Sequence, residues 1–144
     1  MEPVRQRDER GSAAIEAVIG VPAFGLFIGL IILGGRTAST HEALQSAAAE
    51  GARSASIARD AQDAQDQARQ AAVASVTNQN LGCADVKVRV DTGDFTKPPG
   101  VPGTVEVTVS CRLALADLAV PGVPGSRIMH ATMSSPIDTW RETP

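Results

Sequence analysis

Gly11 and Glu16 stand at the entrance to the most apolar stretch of the chain. A carboxylate at the edge of a membrane-length segment is costly, so it calls for a counter-charge or an interfacial position. The simplest account puts Glu16 in the first turn of a helix, where the macrodipole favours an anion. The other chemistry-bearing residues are few: two thiols, Cys83 and Cys111, two imidazoles, His41 and His130, and the carboxylates Asp60, Asp63 and Asp66. Neither histidine has a cysteine at metal-ligand spacing, and a site built from both thiols and both imidazoles would need His41, which falls close to the apolar stretch. The three aspartates recur at every third position among Ala and Gln, as on a solvated helix face rather than in an acid pair or a calcium loop. There is no Gly-x-Ser-x-Gly, phosphate-binding loop or dinucleotide fingerprint. No catalytic residue, metal or cofactor is expected, and the chain does not read as an enzyme.

The element that positions Glu16 is a membrane segment. From Ala17 to Gly35 there is no charged side chain, and the densest part runs from Phe24 to Leu33. At 1.5 Å per residue this run covers roughly the 30 Å hydrocarbon thickness of a bilayer, and it shows no polar face. A cleavable signal peptide has a shorter apolar core, of about 7–15 residues, ending in a small-x-small site. Here the run ends in Gly34-Gly35-Arg36. Arg5, Arg7 and Arg10 precede it, while beyond it Arg36 stands alone before Arg53. Basic flanks stay in the cytoplasm, which places the N-terminus inside and the C-terminal domain outside. Pro22 removes one backbone donor and predicts a kink. Gly25 and Gly29 form a Gly-x3-Gly pair, with Gly20 and Gly34 expected near the same side; small residues let helices approach closely in lipid.

The stretch Arg10-Gly11-Ser12-Ala13-Ala14-Ile15-Glu16-Ala17-Val18-Ile19-Gly20-Val21-Pro22 resembles the N-terminal signature of TadE-like proteins, the pseudopilins or minor pilins of Tad (Flp) pilus systems. Within it, Gly11, four residues and Glu16 resemble the class III signal of type IV pilin-like proteins. The resemblance implies a prepilin peptidase that cuts between Gly11 and Ser12 on the cytoplasmic side and leaves the apolar helix on the mature protein. It implies that Glu16 pairs with the new N-terminal amine of a neighbouring subunit. The partners implied are the lipid bilayer, other pilin-like subunits and Tad assembly proteins, and the location is a bacterial cell membrane or surface pilus. The competing reading is a permanently anchored extracytoplasmic binding module that never enters a filament.

The 144 residues allow one modest domain beyond the anchor. The net charge is −3 and no basic cluster follows the first ten residues, so nucleic acid is a poor partner. The expected order is a leader over 1–11, a transmembrane helix over 12–35, a helical stalk over 36–80 and a β-rich region over 81–144. From Thr37 to Thr77 the chain is Ala-rich and free of proline, which predicts helix with a narrow apolar side of Leu44, Ala48, Gly51, Ala52 and Ala55. Gly51 and Arg59-Asp60 are the expected places for a break. Val86, Val88 and Val90 alternate with Lys87 and Arg89, and Val105, Val107 and Val109 with Glu106 and Thr108, as in half-buried strands. A long hairpin loop, Asp91 to Gly103, joins them. A third strand is expected over Ser126 to Ser134, after the turn-rich Pro121-Gly122-Val123-Pro124-Gly125. The fold class expected is α+β: a transmembrane helix continuing into a long Ala-rich helix, then a small antiparallel three-stranded sheet.

Outside the cytoplasm, Cys83 and Cys111 read as one disulfide. Aligning the valines, Val86 with Val109 and Val90 with Val105, puts Cys111 opposite Ala84 and leaves Cys83 one residue off, on the other face. A bulge, or a Cys83 outside the ladder, resolves this. At the end, Ser135-Pro136-Ile137-Asp138-Thr139-Trp140-Arg141 resembles the tail of some TadE-like proteins. Trp140 has two readings, docking on the strands or a frayed tail.

Overall fold

The computed structural model describes residues 10–114 and 125–140, with side chains from Ala14 onward. Residues 1–9 of the expected leader, Pro121 to Pro124 and Arg141 lie outside the described residues. The described architecture is α+β. A first helix, α1 (Arg10–Ser56), is followed by α2 (Ala61–Asn78), β1 (Asp85–Asp91), a 3-10 turn (Gly93–Thr96), β2 (Thr104–Ala114) and β3 (Ser126–Pro136). The strands form one antiparallel meander in the order β1-β2-β3.

The 47 residues of α1 make a rod of about 70 Å that continues unbroken through Pro22 and out of the apolar run. The helix stops at Ser56 rather than at Gly51, and Asp60 starts the next one. The Asp60 backbone is extended, and its carboxylate accepts a hydrogen bond from the Asp63 amide at 2.8 Å, which satisfies a donor that α2 would otherwise leave orphaned. The Ala-rich stalk is therefore a hairpin. Gln79 donates to the Ala43 carbonyl, while Gly51 lies against Ala68 and Ala72, so α2 returns antiparallel alongside α1.

One layer of two helices covers one face of the sheet. The core is built from the alanine stripe of the hairpin, with Leu44 and Val76, and from the inward positions of the strands: Val105, Val107, Val109, Cys111, Leu113, Met129 and Ala131. Alanine suits this layer because it lets two helices and a sheet approach closely. Gly51 marks the tightest point. A Cβ there would lie 3.1 Å from the Ala68 carbonyl oxygen, 3.2 Å from Val107 and 3.3 Å from Ala72.

The register of β1 and β2 differs from the valine-to-valine alignment by two residues. Val86 pairs with Cys111, Val88 with Val109 and Val90 with Val107. A two-residue shift keeps every side chain on its face, so the conflict over the cysteines is resolved by the position of Cys83 instead. β1 begins at Asp85, Cys83 lies outside the ladder, and the Ala84 amide donates to the Arg112 carbonyl. Asn80 and Gly82 adopt positive φ and turn the chain from α2 into the sheet. Cys83 and Cys111 form a disulfide with Cα atoms 5.4 Å apart.

Asp94 orders the long hairpin loop. Its carboxylate meets Lys97 at 2.8 Å and accepts from the Thr104 amide at 2.9 Å. The Lys97 hydrogen bond, then that of Thr104, hold its pKa below the ordinary value of 3.8. A group with a depressed pKa contributes stability above its unfolded value and loses it as pH falls through the folded value. Protection of the Thr104 amide should therefore stay constant above the usual carboxylate range and fall below it. Asp94→Ala should abolish that transition in pH-dependent hydrogen exchange.

Candidate functional site: the exposed apolar helix and the two poles of the head

Among the described residues, the part of α1 from Ala14 to Ile32 packs on no part of the head. Ile15, Val18, Ile19, Val21, Phe24, Leu26, Phe27, Leu30 and Ile31 are all exposed, and none of the most apolar window of α1 is buried. Leu33 is the first residue of the run to pack against the head. A helix this long and apolar is able to cross a membrane, and the nearly continuous display of large side chains is stable only in lipid or against other apolar helices.

Glu16 is exposed and is the seventh residue of a helix that begins at Arg10. It lies beyond the first turn, so the helix dipole does not account for it. Gly11 and Ser12 lie in the helical backbone at the start of α1. Gly25 and Gly29 have open space where a Cβ would be. At about 100° per residue they lie roughly 40° apart, but Gly20 is roughly 140° from Gly25, and Gly34 is as far from Gly29. The four glycines do not share one side, and the Gly25–Gly29 pair stands alone.

The two histidines are far from the cysteines in role. His41 is exposed on α1 and bonds Gln45 at 3.1 Å, while His130 is exposed on the outer face of β3 opposite Ser110. Trp140 does not dock on the strands. It is 87 % exposed, and Ile137, 4 % exposed, fills the core in its place. The tail is nevertheless tied down: the Ile137 amide donates to Gly103, the Asp138 amide to Ser56, and the Gly100 amide to Thr139.

The sequence alone did not reveal two features, because each is assembled from separate segments. At the pole of the head far from the apolar run, Ile57, Val101 and Trp140 are exposed beside those tail hydrogen bonds. At the near pole, Arg36, Thr40, Ala43, Gln79, Leu81 and Leu113 line much of an open cleft of about 570 Å³. Alternation and periodicity report which way a side chain faces, not which turns meet.

Together these features define a class: an α+β protein with one candidate membrane-spanning helix near the N-terminus, continuous with a small disulfide-linked head. A family model described as TadE-like protein matches residues 11–53, from Gly11 through the apolar run and into the head. That match agrees with the resemblance carried by the residues around Gly11 and Glu16. No curated protein and no solved structure matches the chain.

Proposed function

We propose that this protein is a structural subunit, a TadE-like pseudopilin or minor pilin that works in the assembly of a Tad/Flp-type pilus or a related secretion machine. The observation that carries the reading is a coincidence along the chain. The family match begins at Gly11, directly before the apolar run, and the apolar surface that α1 leaves bare ends where the head begins.

In this reading the work of the protein is packing, not catalysis. A prepilin peptidase removes the leader between Gly11 and Ser12 while α1 sits in the bilayer with its N-terminus in the cytoplasm. The mature helix then exchanges lipid for neighbouring helices. Glu16 gives the incoming amine of Ser12 in an adjacent subunit a counter-charge, which fixes the depth of one helix against the next because an unpaired carboxylate in an apolar medium is costly. Gly25 and Gly29, with no Cβ, allow close approach at one point along the helix. The head stays on the extracytoplasmic side, where its disulfide persists.

Pilus yield and N-terminal processing in two variants test this assignment. Gly11→Ala should enter the membrane as wild type does yet remain uncut. Glu16→Ala should be cut but should lose most of the assembled filament. Equal filament yield from Glu16→Ala would remove the role given to that carboxylate.

A further inference from the structure

We propose that successive copies of this chain join head to tail, with the exposed apolar knob around Trp140 of one copy seated in the cleft beside Arg36 of the next. This rests on the assembly reading above and names the contact that reading leaves open.

The knob is built, not frayed. Ile57 follows Ser56, whose carbonyl accepts from the Asp138 amide; Val101 follows Gly100, whose amide donates to Thr139; Trp140 follows Thr139. Three hydrophobic side chains from three segments are thus held at one pole by backbone hydrogen bonds, with Ile57 74 % and Trp140 87 % exposed. A second tie, from the Trp140 amide to the Asp138 carboxylate, sets the backbone at the indole. Trp140 is the one Trp of the chain, and there is no Tyr. An indole left almost fully in water forfeits the large burial that makes aromatic residues effective contacts.

The opposite pole offers a matching receptacle. The start of the head on α1, the end of α2 and the end of β2 enclose the open cleft of about 570 Å³. That is within the roughly 300–1,000 Å³ of sites that take compact apolar groups. Ala43, Leu81 and Leu113 supply apolar walls, and among the described residues Arg36 is the one charged residue that lines it. A guanidinium over an indole face is a favourable pairing, and the carboxylates of Asp138 and Asp60 flank the knob.

The placement of the two poles selects a second copy over other occupants. From the cleft segment of α1 to Ile57 the helix climbs about 25 Å at 1.5 Å per residue. Knob and cleft therefore lie at different heights on one rod and cannot meet within a chain, and a two-fold axis along the membrane normal, which keeps copies anchored in one orientation, leaves each at its own height. A contact between two different patches is heterologous, and repeated along the rod it propagates a filament. In the membrane all copies sit at one depth and the contact is unavailable. It forms when a copy is drawn outward by about the spacing of the two poles, so that the contact accompanies extraction.

Site-specific photo-crosslinking tests this in cells that assemble the full-length protein. A benzophenone amino acid replaces Trp140, which tolerates substitution because it is exposed, and adducts are mapped by peptide mass spectrometry. The expected result is a covalent dimer joining position 140 to the peptides that carry Gln79 to Leu81 or Leu113 of a second copy. Arg36→Glu should lower its yield several-fold. An assembled filament whose adducts fall elsewhere on the second copy, on lipid or on another protein overturns the contact while leaving the assembly reading intact. A wild-type chain that stays uncut and monomeric overturns both.

Discussion

Replacing both cysteines by alanine should lower the unfolding free energy of the head by about 3–4 kcal/mol, the chain-entropy value for the 28-residue separation of Cys83 and Cys111. This is a large fraction of the roughly 5–15 kcal/mol by which small domains are stable. The disulfide matters here because the core has little else to hold the turn after α2. Among the described residues the core is mostly alanine and valine, and its only fully buried leucine is Leu44. The disulfide ties that turn to β2, the central strand of the sheet. The two single variants should differ. Cys111 is fully buried between the helices and the sheet, so Cys111→Ser also buries a hydroxyl, whereas Cys83 is half-buried and Cys83→Ser is milder. Denaturant titration of the full chain in detergent, followed by circular dichroism, checks this. A midpoint unchanged by the double substitution would mean that helix packing alone holds the head.

The second large effect is expected at Gly51. Gly51→Leu should destabilise the head by about 3 kcal/mol or more, at the upper end of overpacking costs, despite the gain of about 1 kcal/mol that leucine brings to a helix over glycine. The reason is the nature of the neighbours. The Ala68 carbonyl is backbone in α2, and Val107 is locked in the central strand, so neither moves aside without separating a layer. Gly25→Leu is the control. Nothing lies within 4 Å of a Cβ built there, so the stability of the head should not change. Any defect should appear only in assembly. The same titration on both variants separates a glycine needed for folding from one available to a partner.

Much of the architecture is legible in the sequence. The bare apolar helix follows from an uncharged run without a polar face, and the buried stripe Leu44, Ala48, Gly51, Ala52 and Ala55 follows from helical spacing. The valine alternations mark β1 and β2, and the third strand runs from Ser126 two residues past its expected end. The disulfide pairing is also legible, since two cysteines have one way to pair. The misreadings have specific causes. Gly51 resembles a helix breaker, yet tertiary packing keeps it helical because only glycine fits the crossing point. The register of β1 on β2 was not visible because valines at alternate positions pair equally well two residues apart. The loop decides between the registers, through a 3-10 turn and the hold of Asp94 on Thr104. The break at Arg59-Asp60 is legible, and the Asp60 cap makes it; that α2 folds back along α1 is not, because helical propensity does not say which way the chain turns. Trp140 and Ile137 compete for the core in sequence, and the tail hydrogen bonds admit Ile137 and turn Trp140 out. For the candidate site, Glu16 and the Gly25–Gly29 pair are visible as residues, while the contacts proposed for them lie with other chains, which no pattern within one sequence encodes.

In the proposed function α1 is a membrane helix cut at its cytoplasmic edge for assembly. Intact-mass and N-terminal peptide analysis of the protein purified from cell membranes tests it most directly. The expected mature chain begins at Ser12 and keeps the whole apolar helix. A chain that still begins at Met1, or one that begins beyond Arg36, would contradict it.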